Sequence, residues 1–263
     1  MEWRAISRIL VSHMHPDHVG GAARARKLSG APVAMHPAEA KLVGPRPPGE
    51  EFFVRTAEYL ASHGVPAEAI DEMREQARPF AAKIDRFTPD EELLPGDHMA
   101  YSSGRLETLL TPGHSPALLC FHEPNRKILF STDVILEKIT PNIGVHPFYG
   151  GNPLGEYFDS LAKLEELDIE TVVPSHGSPF SGHREWIATT RKHHRRRCDK
   201  AAEAVANKPL HGYDVAGAIW GENRGAGDRR MAMAEGLAHL EFLARSGRVE
   251  RFERDGVVYW KAL

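Results

Sequence analysis

The sequence predicts a mixed α/β (α+β) chain that closes with a small helix-and-hairpin module, and three observations carry that prediction. Short apolar runs alternate with helix-like stretches in the first forty residues. Further strand-like runs downstream each end on His or Asp. After about residue 186 both the charge and the pattern change, which marks residues 186–263 off from residues 1–185.

The bulk figures restrict the setting. At 263 residues, with 41% hydrophobic and 26% charged residues, the chain has ordinary globular proportions and room for one large or two smaller cores. No apolar run approaches the roughly 18 residues of a membrane span, and "MEWRAISRIL" lacks a signal peptide's apolar region, so a cytoplasmic protein without membrane attachment is expected. Cys120 and Cys198 belong to no CxxC pair and read as ordinary thiols. The net charge of -3 hides an asymmetry: from Arg191 onward 15 Lys plus Arg face 10 Asp plus Glu, leaving -8 for residues 1–190.

Taken in order, "ISRILVSH" reads as a short buried strand, "GGAARARKLSG" as a helix closed by glycine, and "APVAMHP" as a second strand. After the Pro-rich "GPRPPGE", residues 50–85 read as a helical insertion. "EEFFVRTAEYLASHG" has apolar residues at helical spacing, and "PAEAIDEMREQARPFAAKI" starts on proline. Such an insertion suits a lid, the surface of a homodimer, or a capping layer. Strands resume at "GRLETLLTPGH", at the hairpin "ALLCFHEPNRKILFSTD" and at "DIETVVPSHG". Between the last two, "NPLGEYFDSLAKLEELD" sets Tyr157, Phe158, Leu161, Leu164 and Leu167 near one helix face. A basic helix containing "RKHHRRR" leads into "GYDVAGAIWG", "DRRMAMAEGLAHLEFLARSG" and a hairpin turning at "RDG", the order of a winged-helix-like module.

The chemistry gathers at the strand ends. In "HMHPDH", His13 and His15 are two apart, so an extended backbone points both to one side where they can grip one metal. Pro16 then bends the chain and frees Asp17 and His18 for a second ion. "TPGH" adds His114, "FSTD" adds Asp133 and "VVPSHG" adds His176. A carboxylate between two ions can bridge them while imidazoles fill the remaining positions.

The ordered series "HMHPDH", "TPGH", "STD" and "PSHG" resembles the metallo-beta-lactamase superfamily from about Ile9 to Phe180. The resemblance implies an αββα sandwich carrying two divalent ions, zinc first, with iron or manganese as alternatives. It places one ion on His13, His15 and His114, a second on Asp17, His18 and His176, and Asp133 between them. It further implies a bridging hydroxide that attacks a carbonyl or phosphorus, oriented by Asp17 acting as the catalytic carboxylate. Members carry further strands ahead of the first histidine motif, where this chain has twelve residues. A sandwich truncated at its N-terminus, with an exposed sheet edge, is therefore expected.

The leading expectation is a hydrolase of a small-molecule ester, thioester or lactone, with the loop "ITPNIGVHPFYGGNP" walling the substrate pocket and Phe148 and Tyr149 as apolar contacts. The later part of the chain resembles, more loosely, the beta-lactamase-like 2 hydrolases, which include an endoribonuclease. A phosphodiesterase holding nucleic acid on the basic helix is thus the alternative. A regulatory, non-catalytic metal-binding protein is the third reading. The remaining histidines, His194 and His239 among them, read as surface or packing residues.

Overall fold

Ile9 to Val11 and Val33 to Met35 are short runs of large apolar and small residues, and as extended backbone their side chains fall on alternate faces. Both faces are covered. Ile9, Val11, Val33 and Met35 join one apolar cluster while Leu10 and Ala34 join another.

The computed structural model describes residues 2–44, 49–83, 85–101, 104–221 and 225–263; the Pro-rich stretch 45–48 lies outside the described residues. In chain order the strands are Ile9–Val11 (β1), Val33–Met35 (β2), Glu91–Glu92 (β3), His98–Tyr101 (β4), Gly104–Leu110 (β5), Leu119–Glu123 (β6), Ile128–Thr132 (β7), Thr171–Pro174 (β8), Leu210–His211 (β9), Val249–Arg254 (β10) and Val257–Ala262 (β11). The helices are Pro16–Val19 (α1), Ala22–Ser29 (α2), Pro37–Val43 (α3), Glu50–Ser62 (α4), Ala67–Lys83 (α5), Pro153–Glu165 (α6), His183–Ala204 (α7), Gly212–Trp220 (α8) and Ala226–Arg245 (α9).

The chain forms two compact units. One comprises Met1–Pro47, Phe80–Pro141 and Glu156–Ile187; the other comprises Pro48–Pro79, Asn142–Gly155 and Ala188–Leu263. Residues 48–79, the bulk of the helical stretch, thus group with the C-terminal residues.

In the first unit β1, β2 and β3 pair in parallel, and β4 to β8 form a second sheet in sequential order. The two sheets share a core of Ala34, Leu93, Met99, Leu119 and Phe121. Val19, Ala22 and Val43, from α1, α2 and α3, bury against the other face of the first sheet with Val11, Val33 and Met35. Strand directions in the second sheet decide where the site falls. β5 is antiparallel to β6 and β6 to β7, while β7 is parallel to β8. The C-terminal ends of β5, β7 and β8 therefore leave the sheet at one edge. The Leu119 amide donates to the Ser12 carbonyl at 3.1 Å, which brings the end of β1 to the start of β6 at that same edge.

In the second unit β10, β11 and β9 form an antiparallel sheet against α8 and α9. Asp255 and Gly256 both take positive φ, 53° and 76°, the two-residue turn that matches strand twist in a hairpin. Trp260, Val215, Leu237, Leu240 and Leu243 are fully buried or nearly so. The α4 helix packs on β11, and the Tyr213 amide donates to the His63 carbonyl at 3.1 Å, which is why residues 48–79 belong here. No helix among the described residues is long and apolar enough to cross a membrane.

Candidate metal centre

Extended backbone leaving β1 carries His13 and His15, and His15 then precedes Pro16, which starts the single turn α1. That turn brings Asp17 and His18 round to the same side. At the end of β5, "TPGH" makes a tight loop in which Gly113 has φ 134°, and a Cβ there would lie 2.5 Å from Tyr157 Cβ and 2.8 Å from its Cα. Only glycine lets the His114 loop lie this close to α6. Asp133 follows Thr132, a β-branched residue at φ 48° where the β7–β8 register shifts. His176 follows β8, and Glu137 accepts the Ser178 amide at 2.9 Å to hold its loop.

The seven residues meet at one place. One ligand atom from each of His13, His15 and His114 lies within 4.8 Å of the others, and the same holds for Asp17, His18, Asp133 and His176. His15 Nδ1 lies 2.8 Å from His114 Nε2 and 3.0 Å from His13 Nε2. Asp133 is central: Oδ2 lies 3.4 Å from His114 Nε2, 3.6 Å from His176 Nε2 and 4.0 Å from His13 Nε2, while Oδ1 lies 3.3 Å from His18 Nε2. Asp17 Oδ2 lies 3.1 Å from His176 and 3.5 Å from His18. His13 and Asp133 are buried, whereas Asp17 and His176 are exposed, so the cluster has a closed back and an open front.

The electrostatics follow from this packing. Burial, with the neighbouring His15, His18 and His114, drives the His13 pKa far below its ordinary value and keeps the ring a neutral donor. Burial would raise Asp133, but His114 and His18 outweigh it and hold the carboxyl well below the usual range. For His18 burial is likewise overcome, by Asp133 and then Asp17, and its pKa rises.

Two observations test whether these residues suit divalent ions. Imidazole nitrogens facing one another at 2.8 to 3.0 Å stand a little closer than the roughly 3.3 Å between tetrahedral ligands at about 2.0–2.1 Å from one ion, so a small outward shift seats an ion among them. His18 Nε2 and Asp133 Oδ1 are buried and make no hydrogen bond, although they lie 3.3 Å apart. Nitrogen and oxygen donors in this proportion fit, and the cluster suits divalent metal.

Sequence reading missed the residues that hold the ligands. Glu39, fully buried on α3, accepts the Met14 amide at 2.9 Å, the Ser115 hydroxyl at 2.7 Å and the Ala117 amide at 2.7 Å. It ties the segment carrying His13 and His15 to the segment carrying His114. Ser12 Oγ lies 3.0 Å from His13 Nδ1 and leaves Nε2 for the centre, the kind of outer partner that orients a ligating imidazole. Nothing in "HPAEA" announces such a role. Cys120 lies in the core beneath this edge, its thiol donating to the Ser131 carbonyl at 3.1 Å, and burial pushes its pKa up to about 12.

Phe148 and Tyr149 lie in the second unit. Phe148 stacks on Phe52 with centroids 4.7 Å apart, with the Arg55 guanidinium 4.8 Å above its ring, and Tyr149 stacks on His146 at 4.5 Å.

Comparison with known proteins agrees with this geometry. Residues 1–176 match the metallo-beta-lactamase superfamily, and residues 198–263 match the family described as metallo-beta-lactamase-like, C-terminal domain. A human protein named acyl-coenzyme A thioesterase MBLAC2 is 29% identical over 179 residues, 66% of this chain and 57% of that one. An uncharacterized Aquifex aeolicus protein is 27% identical over 63% of this chain and 64% of its own. The chain therefore spans about three fifths of the length of these relatives. Among solved structures, a beta-lactamase domain protein from Burkholderia ambifaria superposes with a TM-score of 0.87 at 27% identity, covering 98% of this chain and 75% of that one. A metallo-beta-lactamase family protein from Thermus thermophilus gives 0.85 at 25%, covering 99% and 81%.

Proposed function

Because this chain belongs to the metallo-beta-lactamase superfamily, we infer that its centre hydrolyses an ester-type bond of a small molecule, a thioester first. The observation that carries the reading is the convergence of His13, His15, Asp17, His18, His114, Asp133 and His176 on one open-fronted cluster. The thioesterase relative supports the bond type.

When bound, the divalent ions lower the pKa of a water and polarise the scissile carbonyl; zinc suits the nitrogen-rich donor set best. His13, His15 and His114 would hold one ion as neutral donors, with Ser12 and Glu39 fixing their orientation. His18, His176 and Asp17 would hold the other, and Asp133 would bridge. Asp17, at the exposed front, would also serve as the carboxylate that carries a proton from water to the leaving group.

The test is release of free thiol from short and long acyl thioesters, set against p-nitrophenyl esters, a lactone and bis-p-nitrophenyl phosphate. Thioester turnover is expected to fall at least about a hundredfold in Asp17→Asn, and zinc content measured alongside separates loss of an ion from loss of the proton carrier. Phosphodiester cleavage exceeding thioester cleavage would overturn the reading.

A further inference from the structure

A second group of metal-type donors lies in the second unit, on residues the hydrolytic centre does not use. His194 comes from α7, and Glu235 and His239 come from α9, where a spacing of four places them on one face of the helix. One ligand atom from each lies within 4.8 Å of the others. His194 and His239 are fully buried. His239 Nδ1 lies 2.6 Å from the Glu235 carbonyl, so it carries the proton and donates. That leaves the Nε2 lone pair aimed at His194 Nδ1, 3.2 Å away. A backbone carbonyl fixing the tautomer from behind is the usual outer support of a ligating imidazole. Burial pushes the Glu235 carboxyl up to about 7, against the Arg197 charge and the Asn142 Nδ2 amide that donates to it at 3.2 Å, so an ion would have to displace its proton near neutral pH.

We propose that His194, Glu235 and His239 bind a first-row divalent ion, zinc foremost, as a structural clip between α7 and α9. Two imidazoles and one carboxylate select a transition ion over calcium or magnesium, which take all-oxygen shells. Burial, aided by the Arg197 charge, lowers both imidazole pKa values and holds both rings neutral. The Arg197 guanidinium, one turn along α7, lies 4.5 Å over the Trp220 ring, and its charge opposes a cation nearby. The clip is therefore weaker than an isolated set of these donors would be.

Metal content of the full chain decides the matter. Protein loaded with excess zinc and desalted is expected to retain one ion more per chain than His239→Ala, while thioester turnover is the same in both. In Asp133→Ala, which weakens the hydrolytic centre, zinc should still raise the melting temperature, and adding His239→Ala should shrink that rise. If His239→Ala does not fold, Glu235→Gln takes its place, with the same loss of one ion expected. Equal zinc content in wild type and in the folded variant would show that the three side chains form only a hydrogen-bonded cluster, and would overturn the proposal whatever becomes of the hydrolase reading.

Discussion

At the scale of single residues, the ligands and their supports differ in how visible they are. All seven candidate ligands stand in short motifs whose spacing betrays them, because a metal needs particular atoms at particular offsets along extended backbone or around one turn. Glu39 has no such signature; its three acceptor contacts join segments 25 and 76 to 78 residues away, and only the fold brings them together. Replacing Glu39 with Gln keeps the shape but gives an amide one acceptor oxygen where the carboxylate has two. Either the Met14 amide or the Ser115 and Ala117 pair then faces an NH2 group. Zinc affinity, measured by competition with a coloured chelator, should fall roughly 10- to 100-fold. Unchanged affinity would mean that Glu39 only fills space. Cys120 makes the opposite point. Its buried thiol, with a pKa near 12, should resist alkylation at pH 8 until denaturant is added, and Cys120→Ala should keep its metal.

At the scale of elements, β1, β2, β5 to β8 and the C-terminal hairpin were readable from alternation and turn residues. The short β3 and β4 were not. "EE" and "HMAY" are too short and too polar to announce strands, and they exist because β2 and β5 offer them backbone partners. The regrouping of residues 48–79 with the C-terminal segment was equally hidden, since it rests on contacts such as α4 against β11 that no local pattern encodes. The loop between β5 and β6 gives a sharp mechanical prediction. Gly113→Ala would drive a methyl into the backbone of α6 at a φ that side chains avoid. It should cost at least about 2 kcal/mol in urea unfolding, and because the loop carries His114 it should also lower metal content.

At the scale of the whole molecule, pH sensitivity is expected in the second unit. Burial lowers His63 from 6.5 to about 4, with Arg251 and His211 adding to the effect. The folded form binds its proton less readily than the unfolded form does. The stability this gives is complete above pH 6.5 and is lost as pH falls from 6.5 through 4. By pH 5 the loss from this group should approach about 2 kcal/mol, read as a falling urea midpoint, and His63→Gln should remove that share and leave the part that the buried His146, His194 and His239 supply. Ions bound only by folded protein add a further term: removing them with EDTA should lower the melting temperature, and zinc should restore it.

The shared exit of β5, β7 and β8 sets a timetable for synthesis. His176 follows His13 by 163 positions, with His114 and Asp133 spaced between them. A growing chain can gather His13 and His15 early, but it cannot complete either ion's shell until later strands have paired. Loading is then among the last events of folding, after most long-range contacts have formed. The finished donor set accepts several first-row ions, so the supply at that late moment, rather than the ligands alone, sets which one it holds.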